Sequence, residues 1–371
     1  MNKKILFVTG TRADYSKLKL LAKVSQENNF KTSFYVTGMH VLSKYGLTKV
    51  EVHRDGYDEV DEFINQNSKD PQSHIIGKTI CAFTDFLEEK SPDLVVVHGD
   101  RPEAFACAIA AATNYYKLLH VEGGEISGSI DESFRHAISK LASIHCVSSD
   151  KAIIRLKNMG EDPKTIFNIG SPELETHLNT DPTKIENVKD RYDINFDEYG
   201  IVMFYPVTSE ISTIGTQTQN LFKSLERSNK KFVVISPNND PGVNIINDTI
   251  DRLSKKQFRV LPSMRFEFFS ILMKNSGAII GNSSTGVREA PFLGIPSLNI
   301  GSRQNERANS NSITNANSED YDKINKFLSE EWYKRYDKSS EFGSGNTESK
   351  FKDLLLSNYI WNVPDQKYFF K

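Results

Sequence analysis

The sequence predicts an α/β protein of two similar halves, each a parallel β-sheet covered by helices, and three observations carry that prediction. The chain has 371 residues, more than one compact core usually holds, so two domains are the natural division. Short apolar runs rich in β-branched residues alternate with longer helix-like stretches, the pattern of parallel strands buried on both faces. The alternation breaks near residue 178 and resumes near residue 200.

In order along the chain, residues 5–8 form the first strand and end at Thr9-Gly10-Thr11-Arg12, too early for a signal-peptide core or a membrane span. The runs 33–36, 94–97 and 118–121 lead into Thr37-Gly38, His98-Gly99-Asp100 and Glu122-Gly123-Gly124. After Ile169-Gly170-Ser171-Pro172 the composition shifts, and residues 178–198 are polar. The runs 201–204, 232–235, 278–280 and 297–300 rebuild the alternation as a second domain, with the substrate cleft expected between the two. Residues 303–320 and 338–348 read as exposed loops. The predicted domain limits are 1–178 and 179–351.

Charge and cysteine usage exclude several function classes. A net charge of −2 with no long basic run argues against a nucleic-acid partner. Cys81, Cys107 and Cys146 are odd in number and far apart, which favours reduced thiols in the cytoplasm. The eight histidines show no metal-ligand spacing, so no metal and no cofactor are expected.

In open parallel sheets, ligands bind outside the carboxyl ends of the strands. Polar, Gly-containing loops follow four of the predicted strands, and they predict a rim lined by Arg12, His40, Asp100, Arg101 and Glu122. Thr9-Gly10-Thr11-Arg12-Ala13-Asp14 opens a helix; either Arg12 and the free amides meet a phosphate, or Asp14 caps the helix and Arg12 is solvated. The acids Asp100, Glu122, Glu125, Asp131 and Glu132 are either a divided acid/base set or caps and ion-pair partners of Arg135 and His136. Gly281-Asn282-Ser283-Ser284-Thr285 either supplies hydroxyl and amide donors suited to a diphosphate bound without a metal, with Glu289 placed to accept from ribose hydroxyls, or is a simple Asn/Ser turn capping a helix.

These segments, together with Thr37-Gly38-Met39-His40, His98-Gly99-Asp100-Arg101, Arg135-His136-Ala137-Ile138-Ser139-Lys140, Pro237-Asn238-Asn239-Asp240 and Gly301-Ser302-Arg303-Gln304, resemble the hydrolysing UDP-N-acetylglucosamine 2-epimerases of bacterial sialic and legionaminic acid biosynthesis nearly end to end. The non-hydrolysing 2-epimerases are a more distant resemblance. They carry Pro-Glu where Ala13-Asp14 stands and Glu-Ala-Gly-Leu-Arg where Glu122-Gly123-Gly124-Glu125 stands.

The resemblance implies two Rossmann-like domains in a GT-B-like fold, with the segment 352–371 crossing back to the first domain. It implies loss of the C2 proton and expulsion of UDP to a glycal, then addition of water to release the free 2-epimer. By motif position Asp100 is the proton abstractor, with Glu122 and Asp131 as partner acid/base groups. Arg12, Ser283 and Ser284 hold the diphosphate, Glu289 the ribose and Phe266 the uracil, while Arg101 and Arg303 orient sugar and phosphates. His40, Asn239 and Asn282 complete the expected binding set. Relatives carry histidine where Tyr205 stands, so Tyr205 is expected to act there as a neutral donor, to mark a different substrate or to reduce activity. Homodimers are expected. A GT-B glycosyltransferase, a non-hydrolysing epimerase and an inactive nucleotide-sugar binder are the competing readings.

Overall fold

The computed structural model describes residues 3–67, 70–127, 130–237, 240–368 and 370. The chain divides into two compact units: Met1–Glu125, Asp131–Glu175 and Phe342–Lys371 make the first, Ile126–Ile130 and Thr176–Glu341 the second.

The first unit holds seven strands: β1 (Lys4–Thr9), β2 (Lys31–Val36), β3 (Glu59–Glu62), β4 (Leu94–His98), β5 (Leu118–Val121), β6 (Ile144–Val147) and β7 (Ile166–Asn168). They lie in the order β3-β2-β1-β4-β5-β6-β7, every pair parallel. Alternate residues enter different cores, which is why central strands such as β1 and β4 read as apolar runs. Ile5, Phe7, Leu94 and Val96 pack with Leu18 and Leu21 of the helix Arg12–Glu27. Leu6, Val8, Val95 and Val97 pack with Phe83 and Leu87 of Gln72–Lys90 and Cys107 of Pro102–Thr113. The order reverses between β1 and β4, opening a crevice at their carboxyl ends.

The chain rejoins the first unit at Phe342 rather than at residue 352. The Phe342 carbonyl accepts from Ser171 N at 2.8 Å, and the following helix Thr347–Leu356 sends Phe351, Leu354 and Leu355 into the core beside Leu18. Trp361 then stacks on Phe30, with ring centroids 5.5 Å apart. Lys367 ends the strap: its ammonium pairs with the buried Glu161 and donates to the carbonyls of Ser139 (2.8 Å) and Ala142 (2.6 Å).

The second unit carries β8 (Gly200–Met203), β9 (Phe232–Ile235), β10 (Phe258–Leu261), β11 (Ile279–Gly281), β12 (Ser297–Ile300) and β13 (Ile313–Ala316) in the order β10-β9-β8-β11-β12-β13, again all parallel. Its order reverses between β8 and β11. Gly281 is required there: its φ is +127°, and a Cβ would sit 2.1 Å from the Met203 carbonyl oxygen. The stretch 303–320 is not simply an exposed loop. It contains β13, and Gln304, Arg307, Ser312 and Ser318 are buried. Among the described residues, no helix is long and apolar enough to cross a membrane.

Candidate active site

The crevice between β1 and β4 is lined by the residues that follow those strands. Thr11 caps the helix Arg12–Glu27, accepting from the Asp14 amide at 3.2 Å, and this fixes Asp14 in the first turn. One turn on, Lys17 projects from the same face, as i and i+3 residues do. Its ammonium lies 2.9 Å from Glu122 Oε2 and 2.7 Å from Glu173 Oε2.

Glu122 follows β5 in a left-handed backbone conformation, φ +61°, held by its amide donating to the Cys146 carbonyl at 2.8 Å. Such strain in a non-glycine residue persists only where its surroundings fix it, and it aims the side chain into the crevice. There Glu122 Oε1 accepts from Ser171 Oγ at 2.5 Å, and Oε2 faces both Lys17 and His98 Nε2, the latter at 3.1 Å. His98 Nδ1 is 3.6 Å from Asp14 Oδ1. The result is a buried string of alternating charge: Asp14, His98, Glu122, Lys17, Glu173.

Burial opposes charge on His98, but the flanking Asp14 and Glu122 carboxylates override it and raise its pKa above the ordinary histidine value. Burial likewise acts to raise the Asp14 pKa, and His98 with Arg101 outweighs it, leaving the carboxyl below its usual range. His98 Nε2 is in direct contact with the Glu122 carboxylate. His120 braces the same loop, with Nε2 2.8 Å from the Gly99 carbonyl oxygen.

Asp100 is paired with Arg135, which projects from the helix Asp131–Leu141, and Asp131 opens that helix. Arg101 Nε stands 3.9 Å from Glu103, a buried acid beneath Gly10 and Gly38 whose pKa is raised chiefly by burial. Two expected binding residues have partners within the first unit. His40 is fully buried, with Nε2 3.0 Å from Thr9 Oγ1 and Nδ1 2.7 Å from Thr48 Oγ1; burial lowers its pKa to about 4, so it is a neutral brace for the loop after β1. Arg12 forms an ion pair with Glu51 at 2.5 Å. Glu125 accepts from Ser148 and Ser149, at 2.8 and 3.0 Å.

The second unit gathers its candidates at its own strand-order reversal. The Asn282 side chain is spent on the Tyr205 backbone: Oδ1 accepts from its amide at 2.7 Å and Nδ2 donates to its carbonyl at 2.8 Å. This clamp ties the loop after β8 to the loop after β11. The Asn282 carbonyl in turn accepts from Arg303 (3.1 Å) and Gln304 (3.0 Å). The Arg303 guanidinium lies 5.3 Å from the Tyr205 ring centroid. Burial chiefly, with Asp240 and Glu289 adding, pushes the Tyr205 phenol up to about 12. Ser283 caps the short helix Ser284–Val287, Glu289 is buried, and Phe266 begins the helix Phe266–Lys274. Asn239 lies outside the described residues.

The structure thus brings Asp100, Glu122, Arg101 and their partners to one rim and Tyr205, Ser283, Ser284, Glu289, Phe266 and Arg303 to the other unit's strand ends. Sequence reasoning missed Lys17 and Glu173. The helical spacing of Asp14 and Lys17 was a usable signal for the first; Glu173 reaches Lys17 only through the chain's return after β7. Among the described residues, no group of three His, Cys, Asp or Glu is arranged to hold a metal ion.

Comparison with known proteins agrees with this architecture. A UDP-N-acetylglucosamine 2-epimerase from Neisseria meningitidis serogroup B is 38% identical over 99% of this chain and 98% of its own length. A UDP-N,N'-diacetylbacillosamine 2-epimerase (hydrolyzing) from Legionella pneumophila is 34% identical over 96% of each chain. The crystal structure of a UDP-GlcNAc 2-epimerase from Neisseria meningitidis, bound to UDP-GlcNAc, shares the fold with a TM-score of 0.77 at 21% identity, over 96% of this chain and all of that one. The UDP-N-acetylglucosamine 2-epimerase family model matches residues 22–356, and the chain belongs to that family.

Proposed function

We propose that the protein is a hydrolysing 2-epimerase. It converts UDP-N-acetylglucosamine, or a close 2-acetamido nucleotide sugar such as UDP-N,N'-diacetylbacillosamine, with water to UDP and the free 2-epimer, and feeds nonulosonic acid synthesis. The observation that carries this reading is the contact of Asp14 with His98, which couples a residue that separates the hydrolysing branch to Glu122. The hydrolyzing relative from Legionella pneumophila supports the same branch.

In this reading Asp100, oriented by Arg135, takes the C2 proton while the C1–O bond to UDP breaks, leaving a C1=C2 glycal. Water then adds its oxygen at C1, and a proton reaches C2 from the opposite face. Glu122 and Asp131 are the partner acid/base groups, and Glu122 draws its proton from Lys17 or His98, both already in contact with it. In the second unit Arg303, Ser283 and Ser284 hold the diphosphate, Tyr205 donates as a neutral phenol, Glu289 takes the ribose and Phe266 the uracil. The enzyme works in the cytoplasm as a homodimer without a metal.

Incubation of the purified chain with UDP-N-acetylglucosamine in D2O, followed by NMR, tests this. The expected products are UDP and a free 2-epimerised sugar carrying deuterium at C2. A UDP-linked epimer without UDP release would assign the non-hydrolysing reaction, UDP release without label at C2 would exclude the elimination, and release only on addition of an acceptor would indicate a glycosyltransferase.

A further inference from the structure

His177 belongs to none of the roles above, yet it is fully buried against two of the residues assigned to the nucleotide. It lies near the end of the helix Pro172–Leu178, just after the chain enters the second unit. Its Nε2 stands 2.6 Å from Glu289 Oε2, while Glu289 Oε1 accepts from Thr285 Oγ1 at 2.8 Å. Each oxygen of the Glu289 carboxylate therefore has a donor, and the group is held in one orientation.

The other side of the ring is fixed as well. Nδ1 is 2.8 Å from Ser270 Oγ, which is 2.6 Å from Thr180 Oγ1, and Thr180 Oγ1 is 3.0 Å from the His177 carbonyl oxygen. Ser270 Oγ can accept from Nδ1 or donate to it, so the ring is held on this side whichever of the two carries the proton. Because a carboxylate only accepts, Nε2 is the donor to Glu289 in both cases. The ring also packs against Phe266, with centroids 4.9 Å apart and planes at 56°.

We infer that His177 is a positioning residue for ribose recognition: it sets the Glu289 carboxylate to receive the ribose hydroxyls and makes the site select ribonucleotide over deoxyribonucleotide carriers. The inference rests on the reading of Glu289 as the ribose acceptor. A residue that only filled the core would leave no mark on that selection. A positioning residue acts on ligands that have the hydroxyls and spares those that lack them.

Calorimetric binding of UDP and of 2′,3′-dideoxy-UDP to the full chain and its variants separates the two. The wild type is expected to favour UDP. His177→Phe keeps the contact with Phe266 but has no donor, and it should weaken UDP binding about tenfold while leaving dideoxy-UDP unchanged. His177→Gln, whose amide can reach the Nε2 position, should restore most of the preference. Ser270→Ala, which frees the ring without touching Glu289, should lower it in the same sense and stands in if His177→Phe does not fold. Equal loss of both ligands, or a preference retained in His177→Phe and Ser270→Ala, overturns the assignment of His177 alone. A wild type that binds UDP without preferring it overturns the ribose role of Glu289, and with it this inference. A wild type that binds no UDP overturns the nucleotide site itself.

Discussion

Lys17 Nζ and Glu122 Oε2 lie 2.9 Å apart in a buried setting, and the same ammonium is 2.7 Å from Glu173. One cation thus holds two acids, and the helix turn that presents it also presents Asp14. Replacing it leaves two buried carboxylates facing each other without their shared counter-charge. Lys17→Met is expected to lower kcat by roughly 100-fold with a smaller change in KM, as for loss of a group engaged in proton transfer. Steady-state kinetics of UDP release is the check; a change confined to KM would assign Lys17 to ground-state binding instead.

Asp100 and Arg135 make a second prediction, this one about isotope exchange as well as rate. Asp100→Asn keeps the shape and a hydrogen-bonding partner for Arg135 but removes the base. Exchange of deuterium into C2 and UDP release should fall together by roughly 1,000-fold. If exchange and release both persisted, proton abstraction would belong to another group, and Glu122 would be the next to test; release without exchange would mean that UDP leaves without elimination.

Tyr205 bears on pH. Its phenol stays protonated up to about 12, so this residue contributes no titration step across the working range. Tyr205→His puts in its place a group that ordinarily titrates near ~6.5. Charged below that value and neutral above it, the new imidazole should strengthen diphosphate binding on the acid side only. KM for the nucleotide sugar measured from pH 5.5 to 8.5 should be flat at this position in the wild type and rise with pH in the variant. Tyr205→Phe, which loses the O–H donor, should cost about tenfold in kcat/KM without altering the pH profile.

Much of the fold was legible because parallel strands buried on both faces are largely apolar, as β1, β4, β8, β9 and β11 are. β3 was not, since Glu59-Val60-Asp61-Glu62 is an edge strand whose charges face water and Lys31 and Lys90. β13 escaped for a related reason: Ile313-Thr314-Asn315-Ala316 closes the other sheet and lies in an Asn- and Ser-rich stretch. At the site, strand-end motifs picked out Asp100, Glu122 and Glu289, but composition does not say which polar residue is already satisfied. His40, Asn282 and Glu125 sit in the same motifs and are spent on Thr9 and Thr48, on the Tyr205 backbone, and on Ser148 and Ser149. Partners that are distant in sequence, such as Glu173 for Lys17 and His177 for Glu289, become visible only once the chain is folded.

The last prediction concerns the terminal strap. Glu161 is 1% exposed and receives His145, Lys140 and Lys367, the last from the segment that returns to the first unit. Burial opposes its charge, but these three donors override that and bring its pKa down to about 2. A carboxyl whose folded pKa lies below its unfolded value, ordinarily ~4.3, adds stability that is complete above the unfolded value and is lost as pH falls toward the folded one. Thermal melts of the wild type should therefore decline between about pH 4.5 and 2, and those of Glu161→Gln should decline less over the same window. At neutral pH the variant should be less stable by about 3 kcal/mol, because Lys367 and Lys140 keep their charges and lose their acceptor. Protease sensitivity should appear first at residues 363–370, where Lys117 still holds the Val363 carbonyl but Lys367 no longer has its carboxylate. A Glu161→Gln chain that melted like the wild type at neutral pH, with an unchanged acid limb, would show that the strap is held by Trp361 and the helix Thr347–Leu356 alone.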